Sequence, residues 1–395
     1  MRVYVRDGVR FSDRKRYLWL ITPAYAALPA LSVALYVWTG RELALGLTLV
    51  FFYALAPLVD LMLGEDRSNP PESVVPELEE DRYYRVLTYV AVPVQYASLL
   101  ASAWAVALPE LSWWGALVLT LSAGLISGLG VVTGHELGHK QSALERALAK
   151  AVLAIPGYGH FTVEHNRGHH SAVSTPEDCA SARMGESVYL FALREIPGGL
   201  RRAWKLEGAR LARRGLPLLS WHNEILQSWS VTLLVQGGLI LAYGPPLVPF
   251  FLVHNALGWW QLTEANYIEH YGLLRARNGA GRYEPCRPWH SWNSNHMLGN
   301  LMLFQLERHS DHHAHPSRRY QSLRHFDDLP TLPMSYGGMY LLAMLPGLWF
   351  RVMDPRLLAL RHIEGRLERV NLDPARRDEL WTRYGSASVA KAAEA

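Results

Sequence analysis

Residues 135–140 read HELGHK, in which His135-Glu136-Leu137-Gly138-His139 is a literal H-E-x-x-H. On a helix this spacing puts two imidazoles one turn apart with a carboxylate between them, the arrangement of a zinc metalloprotease whose glutamate is the general base. Three further runs compete with that reading: Glu164-His165-Asn166-Arg167-Gly168-His169-His170, Asn266-Tyr267-Ile268-Glu269-His270 and Arg308-His309-Ser310-Asp311-His312-His313. Nine of the 17 histidines therefore fall in four short clusters. The other eight are isolated and read as capping, packing or surface groups.

Helical spacing gives each cluster a meaning. His135/His139 and His165/His169 are i,i+4 pairs, and His309, His312 and His313 form an i,i+3,i+4 set, so each can project from one face. His170 lies about 100° around the helix from His169 and could reach a different ion. Nine imidazoles exceed the four ligands of a zinc site but could fill four or five positions on each of two ions.

The elements that carry these histidines are written in the composition. Half of the 395 residues are AVILMFWYC and only 19% are charged, which points to a bilayer. Apolar stretches at 17–39, 43–63, 86–108 and 113–133 each approach the roughly 20 residues that a spanning helix needs. A fifth, at 228–262, is cut by Gly244-Pro245-Pro246 into two shorter helices, which makes six spans. The run near 337–350 is shorter, contains Pro346 and Gly347, and reads as an interfacial or core segment. The first span reads as a retained anchor, because its length exceeds a signal-peptide core.

Basic residues set the orientation. Arg2, Arg6, Arg10, Arg14, Lys15 and Arg16 open the chain, and the loop 134–227 carries many more, whereas the connectors 40–42, 109–112 and 244–246 hold only Arg41. The positive-inside rule puts both termini and all four histidine clusters in the cytoplasm. The expected order is a basic N-terminus (1–16), spans one to four (17–133), a cytoplasmic region with the first two clusters (134–227), spans five and six (228–262), a second cytoplasmic region (263–385) and a disordered tail (386–395). The fold class is all-α, a polytopic membrane protein with a cytoplasmic histidine-rich di-metal site. The two cysteines, Cys179 and Cys286, offer neither a disulfide framework nor a metal knuckle.

A protease reading survives in isolation, with Asp60 in the second span as a partner acid. The set HELGHK, EHNRGHH, NYIEHYGL and ERHSDHHAHP, however, resembles the histidine boxes of the integral-membrane alkane 1-monooxygenases, in the wider group of membrane fatty-acid desaturases and hydroxylases. LGEDRSNPPE, RYYRVLTY, RMGES and HSWNSNH resemble the same family, and Leu306-Glu307-Arg308 departs from its Leu-Gln-Arg. The resemblance implies two non-haem iron ions that activate O2 and insert one atom into the terminal C–H bond of a medium-chain alkane. Carried over residue by residue, the ligands are His135, His139, His165, His169, His170, His270, His309, His312 and His313. In that reading Glu136 is no longer a hydrolytic base. A fatty-acyl or aromatic-methyl hydroxylase or a desaturase of the same group is the nearest alternative.

Imidazole N–H groups around such ions need carboxylates to orient them, and Asp60 is the first choice because an acid near the end of a span is costly without a partner. Glu136, Glu164, Glu269 and Asp311 are further candidates. Phe52, in the aromatic block Phe51-Phe52-Tyr53, reads either as packing or as a stop on how deep an alkyl chain can enter. The chain has no dinucleotide fingerprint and no cysteine quartet, so electrons must come from outside. The resemblance names rubredoxin and its NAD(P)H-dependent reductase as the source; no nucleic-acid partner is indicated. Arg201, Arg202, Lys205, Arg210, Arg213 and Arg214 form a dock either for an acidic carrier or for anionic lipid headgroups. The expected location is a bacterial inner membrane.

Overall fold

The computed structural model describes residues 2–393, with side chains to residue 385, so the tail expected at 386–395 falls outside the described side chains. Helices dominate. One element departs from the all-α expectation: Arg2–Arg6 (β1) and Val9–Asp13 (β2) pair antiparallel, turning at Asp7-Gly8, both with positive φ. This hairpin is tied down by Asp81, whose carboxylate accepts from Tyr4 Oη (2.6 Å), Arg16 (2.5 Å) and the Tyr83 amide (2.9 Å).

The helices that matter for the site are α1 (Leu28–Thr39), α2 (Glu42–Leu63), α3 (Arg82–Val106), α4 (Trp113–Gly138), α5 (Ala143–Ala154), α6 (161–172), α7 (Val188–Ala212), α8 (Glu224–Tyr243), α9 (Leu247–His270), α10 (Met297–Met302), α11 (His309–Ala314), α12 (Tyr336–Ala343) and α13 (Pro346–Leu358). Four of them, α2, α3, α4 and α8, are long and apolar enough to cross a membrane. A fifth crossing forms if Arg16–Ala26 and α1, which meet at 57°, count as one broken span. The sixth expected span is α9, 24 residues long but carrying His254, Asn255, Gln261, Glu264, Asn266 and Glu269, nearly all of them turned into the protein. The break before it falls where the sequence puts it, since α8 ends at Tyr243, Gly244 has φ +91° and α9 starts at Leu247.

Glycine sets the distance between α4 and α9. A Cβ on Gly124 would meet the backbone of His254 at 3.0 Å, and one on Gly128 would meet Gln261 Cβ at 2.6 Å. Small residues four apart let two helix backbones approach closely. Contact positions rise together on both helices, so α4 and α9 run in the same direction and bring His135 and His270 to one level. The run at 337–350 belongs to the core: Met339, Tyr340, Ala343 and Trp349 of α12 and α13 are buried.

The Asp81 clamp gives a stability prediction. Burial pushes this carboxyl up, but Arg16, Tyr4 and the Tyr83 amide outweigh it and hold it at about 2. Its folded value lies below the unfolded one of about 3.9, so its contribution is complete above that pH and fades as pH falls toward 2. Asp81→Ala leaves Arg16 buried without its partner and should cost about 3 kcal/mol, read as a lower thermal midpoint at pH 7. The difference from wild type should narrow as the pH approaches 2.

Candidate metal centre

All nine clustered histidines converge, and they divide into two sets. The ring nitrogens of His135, His139, His165, His170 and His312 lie within 4.8 Å of one another, and so do those of His169, His270, His309 and His313. The sets abut, with the rings of His170 and His313 4.5 Å apart between centroids. Helix α4 and His139, which caps its end, supply two imidazoles to the first set and α9 one to the second, while α6 and α11 each contribute to both.

This division corrects the expected pairing. His165 and His169 were expected to share a face, with His170 directed elsewhere; instead His165 and His170 share a set and His169 joins the other. The reason is local, because residues 165–169 form a π-helical turn, closed by i to i+5 bonds. The wider turn brings residues five apart over one another, and the His165 and His170 Nε2 atoms are 3.1 Å apart. In α11, ordinary helical spacing sends His309 and His313 to one set and His312 to the other.

The nitrogen geometry suits metal ions. Nε2 atoms are separated by 3.0 Å for His135 and His312, 3.2 Å for His312 and His170, 3.1 Å for His309 and His270 and 2.9 Å for His313 and His309. Two nitrogens about 2.1 Å from a shared ion lie about 3.0 Å apart at a right angle and about 3.4 Å apart in a tetrahedron. The observed spacings match the right angle. His139 Nε2 and His169 Nε2 are buried without a hydrogen-bond partner, a costly state that a cation would relieve. Burial holds His170 at about 3 and drives His165, His309, His312 and His313 well below the ordinary histidine value, so these rings are neutral, the form that ligates metals.

The groups behind the rings differ from those expected. Asp60 reaches no imidazole; its oxygens accept from the amides of Leu298 (2.8 Å) and Gly299 (3.1 Å) and cap the start of α10. The acid that does reach one is Asp178, which accepts from His169 Nδ1 (2.9 Å), Ser181 Oγ (2.6 Å) and Arg202 (2.6 Å). Burial pushes Asp178 up, but His169 and Arg202 outweigh it and hold the carboxylate far below its usual range. Nothing in the spacing of Thr175-Pro176-Glu177-Asp178 separates Asp178 from an ordinary turn acid. His270 Nδ1 is satisfied by the backbone carbonyl of His290 at 3.0 Å, a partner no side-chain pattern can announce.

The remaining candidates divide in the same way. Glu136 pairs with Lys140 Nζ at 3.0 Å and accepts from the Tyr320 amide at 3.4 Å. Glu164 is bound to Arg202, and Asp311 to Arg324 at 2.7 Å. Only Glu269 faces a clustered ring, 3.3 Å from His309 Nε2, with its other oxygen unpartnered. Of the six cations expected to form a dock, Arg202 is committed to Glu164 and Asp178, and Arg210 to Glu207 and the His222 carbonyl. Arg201, Lys205, Arg213 and Arg214 are exposed.

An apolar cavity opens against both sets. It touches His135 and His165 of the first and His309 of the second, and Val132, Phe161, Leu262, Ala265 and Leu306 form much of its wall. Phe52 is buried but does not line it. It sits instead in a neighbouring cavity with Ala56, Asp60 and Met302.

Comparison with known proteins agrees with this geometry. Residues 111–342 match the family model described as fatty acid desaturase. Alkane 1-monooxygenase 1 of Alcanivorax borkumensis is 51% identical over 96% of this chain and 93% of its own length. Alkane 1-monooxygenase of Ectopseudomonas oleovorans is 50% identical over 96% of this chain and 94% of its own. A more distant similarity, 27% over 60% of this chain and 63% of the relative, links it to the xylene/toluene monooxygenase hydroxylase component XylM of Pseudomonas putida. With full-length identity of this order to enzymes of one activity, and with nine histidines folded into one centre, the chain belongs to the alkane 1-monooxygenases of the fatty acid desaturase family.

Proposed function

We propose that this membrane protein hydroxylates the terminal carbon of medium-chain alkanes to 1-alkanols at a di-iron centre, using O2 and electrons from rubredoxin, which is re-reduced by an NAD(P)H-dependent reductase. The observation that carries the reading is the pair of imidazole sets, five and four, opening onto one apolar cavity. Iron bound there would supply O2 activation, with one oxygen atom entering the C–H bond and the other leaving as water. The nine histidines act as its ligands.

The chain's own groups do the rest. An alkane offers no polar handle, so the cavity wall binds it by apolar contact, and its terminal carbon lies toward His135, His165 and His309. The same wall excludes water from the reacting end. Asp178 fixes the orientation of His169 and is itself held by Arg202 and Ser181. In this reading α9 is the last of six spans and the histidine layer lies at the cytoplasmic side of a bacterial inner membrane, where a soluble carrier reaches it. Arg201, Lys205, Arg213 and Arg214 offer that carrier a basic surface.

A hydroxylase of aromatic methyl groups is the alternative, favoured by the similarity to XylM. A zinc protease is disfavoured on chemistry. Glu136 is neutralised by Lys140 and is not free to act as a base.

Metal analysis with an octane assay tests the reading. The purified enzyme should hold about two iron per chain and form 1-octanol with reduced rubredoxin; zinc in place of iron, or alcohol from xylene but none from octane, would overturn it. Asp178→Asn should weaken metal retention about 10- to 100-fold against a chelator, as loss of a ligand's orienting partner does elsewhere. Charge reversal at Arg201, Lys205, Arg213 and Arg214 together should raise the apparent KM for rubredoxin several-fold and leave turnover of chemically reduced enzyme unchanged.

A further inference from the structure

Leu303 lines both the cavity beside the histidines and the cavity that holds Phe52. Leu303 is 5% exposed and is the apolar residue of the 301–306 turn that borders both. The second cavity offers an alkyl chain Phe52, Ala56, Pro57, Leu298 and Met302.

The backbone behind Leu303 is unusual. Phe304 and Gln305 follow it with φ of +49° and +55°, two consecutive non-glycine residues in the left-handed region. Such conformations persist only where their surroundings over-determine them, and they gather at ligand clamps and switches. Here the constraints are visible: the Gln305 amide donates to the Asn300 carbonyl (2.8 Å), its side chain donates to the Tyr320 carbonyl (2.5 Å), and the Phe304 ring packs on Tyr320 at 4.6 Å. The turn that follows Leu303 is thus fixed, while Leu303 itself lines both cavities.

Resting on the alkane reading, we propose that Leu303 is the partition that sets how long a substrate the enzyme accepts. A medium chain fits within the first cavity with its terminal carbon at the histidines. A longer chain needs the Leu303 side chain to turn aside, after which it runs into the second cavity and stops at Phe52. The residue acts by shape alone and touches the substrate far from the reacting carbon.

The test is the ratio of 1-hexadecanol to 1-octanol formed from mixed hexadecane and octane, by full-length enzyme in membranes with reduced rubredoxin. The ratio is internal to each preparation, so a loss of folded protein does not move it. Leu303→Ala joins the cavities and should raise the ratio at least about tenfold, the scale on which pockets discriminate methylenes. Leu303→Phe should lower it. Leu303→Val removes less volume, should move the ratio the same way by a smaller factor, and serves if the alanine variant does not accumulate. Phe52→Ala should extend the range further in the Leu303→Ala background than in wild type, a non-additivity expected of two residues in series. An unchanged or lowered ratio in an alanine or valine variant that still makes 1-octanol would overturn the proposal. Failure of the wild type to form either alcohol would defeat the alkane reading instead.

Discussion

Nine imidazoles can share one buried layer only if they stay neutral and if nitrogens that water would otherwise satisfy find another partner. Most of these rings are sealed from solvent, and the inward nitrogens of His139 and His169 have no hydrogen-bond partner in the protein. Each such nitrogen left bare would cost on the order of 1–3 kcal/mol. The layer is therefore suited to hold ions, and the surrounding helices keep the donors in place for them. Glycines 124 and 128 let α4 and α9 run close and parallel, so His135 and His270 end at one height. The wide turn at 165–169 lets α6 serve both sets at once.

Charge in this layer is distributed unequally. His169 of the four-histidine set leans on Asp178, and Glu269 faces His309 Nε2, the nitrogen turned toward the other rings of that set. Arg202 compensates Asp178 and Glu164 together, so the anionic partner of His169 is itself stabilised. A carboxylate behind an imidazole raises the ring's basicity as a ligand. Asp178 thus makes His169 a stronger donor than its ring alone would be.

Much of this was legible in the sequence, because it rests on periodicities that a folded helix must obey. The four histidine runs, the break at Gly244-Pro245-Pro246 and the apolar stretches of α2, α3, α4 and α8 all report backbone geometry directly. What stayed hidden depends on backbone or tertiary detail. A π-helical turn inserts one residue per turn without changing composition, so the i,i+4 spacing of His165 and His169 does not reveal that His165 pairs with His170. Asp178 sits in a polar turn whose burial comes only from the packing of α7, and Arg202 looks like any surface cation until Asp178 and Glu164 meet it. Asp60 read as an acid in need of a partner, which was correct, but its partners are two amides of α10.

That last substitution of roles ties the metal layer to the substrate path. By capping α10, Asp60 fixes the start of the segment whose end carries Leu303 and the strained pair Phe304 and Gln305, and five residues beyond Phe304 comes His309. The same short stretch of chain thus borders both cavities and enters α11, which feeds both histidine sets. Strain in a turn is tolerated when relaxing it would displace something more costly. Relaxing Phe304 and Gln305 would shift the first residue of α11 against imidazoles held within 0.3 Å of one common spacing, from 2.9 to 3.2 Å. The rigidity that keeps the imidazoles in register is therefore the same rigidity that fixes the backbone behind Leu303, the residue common to both cavities.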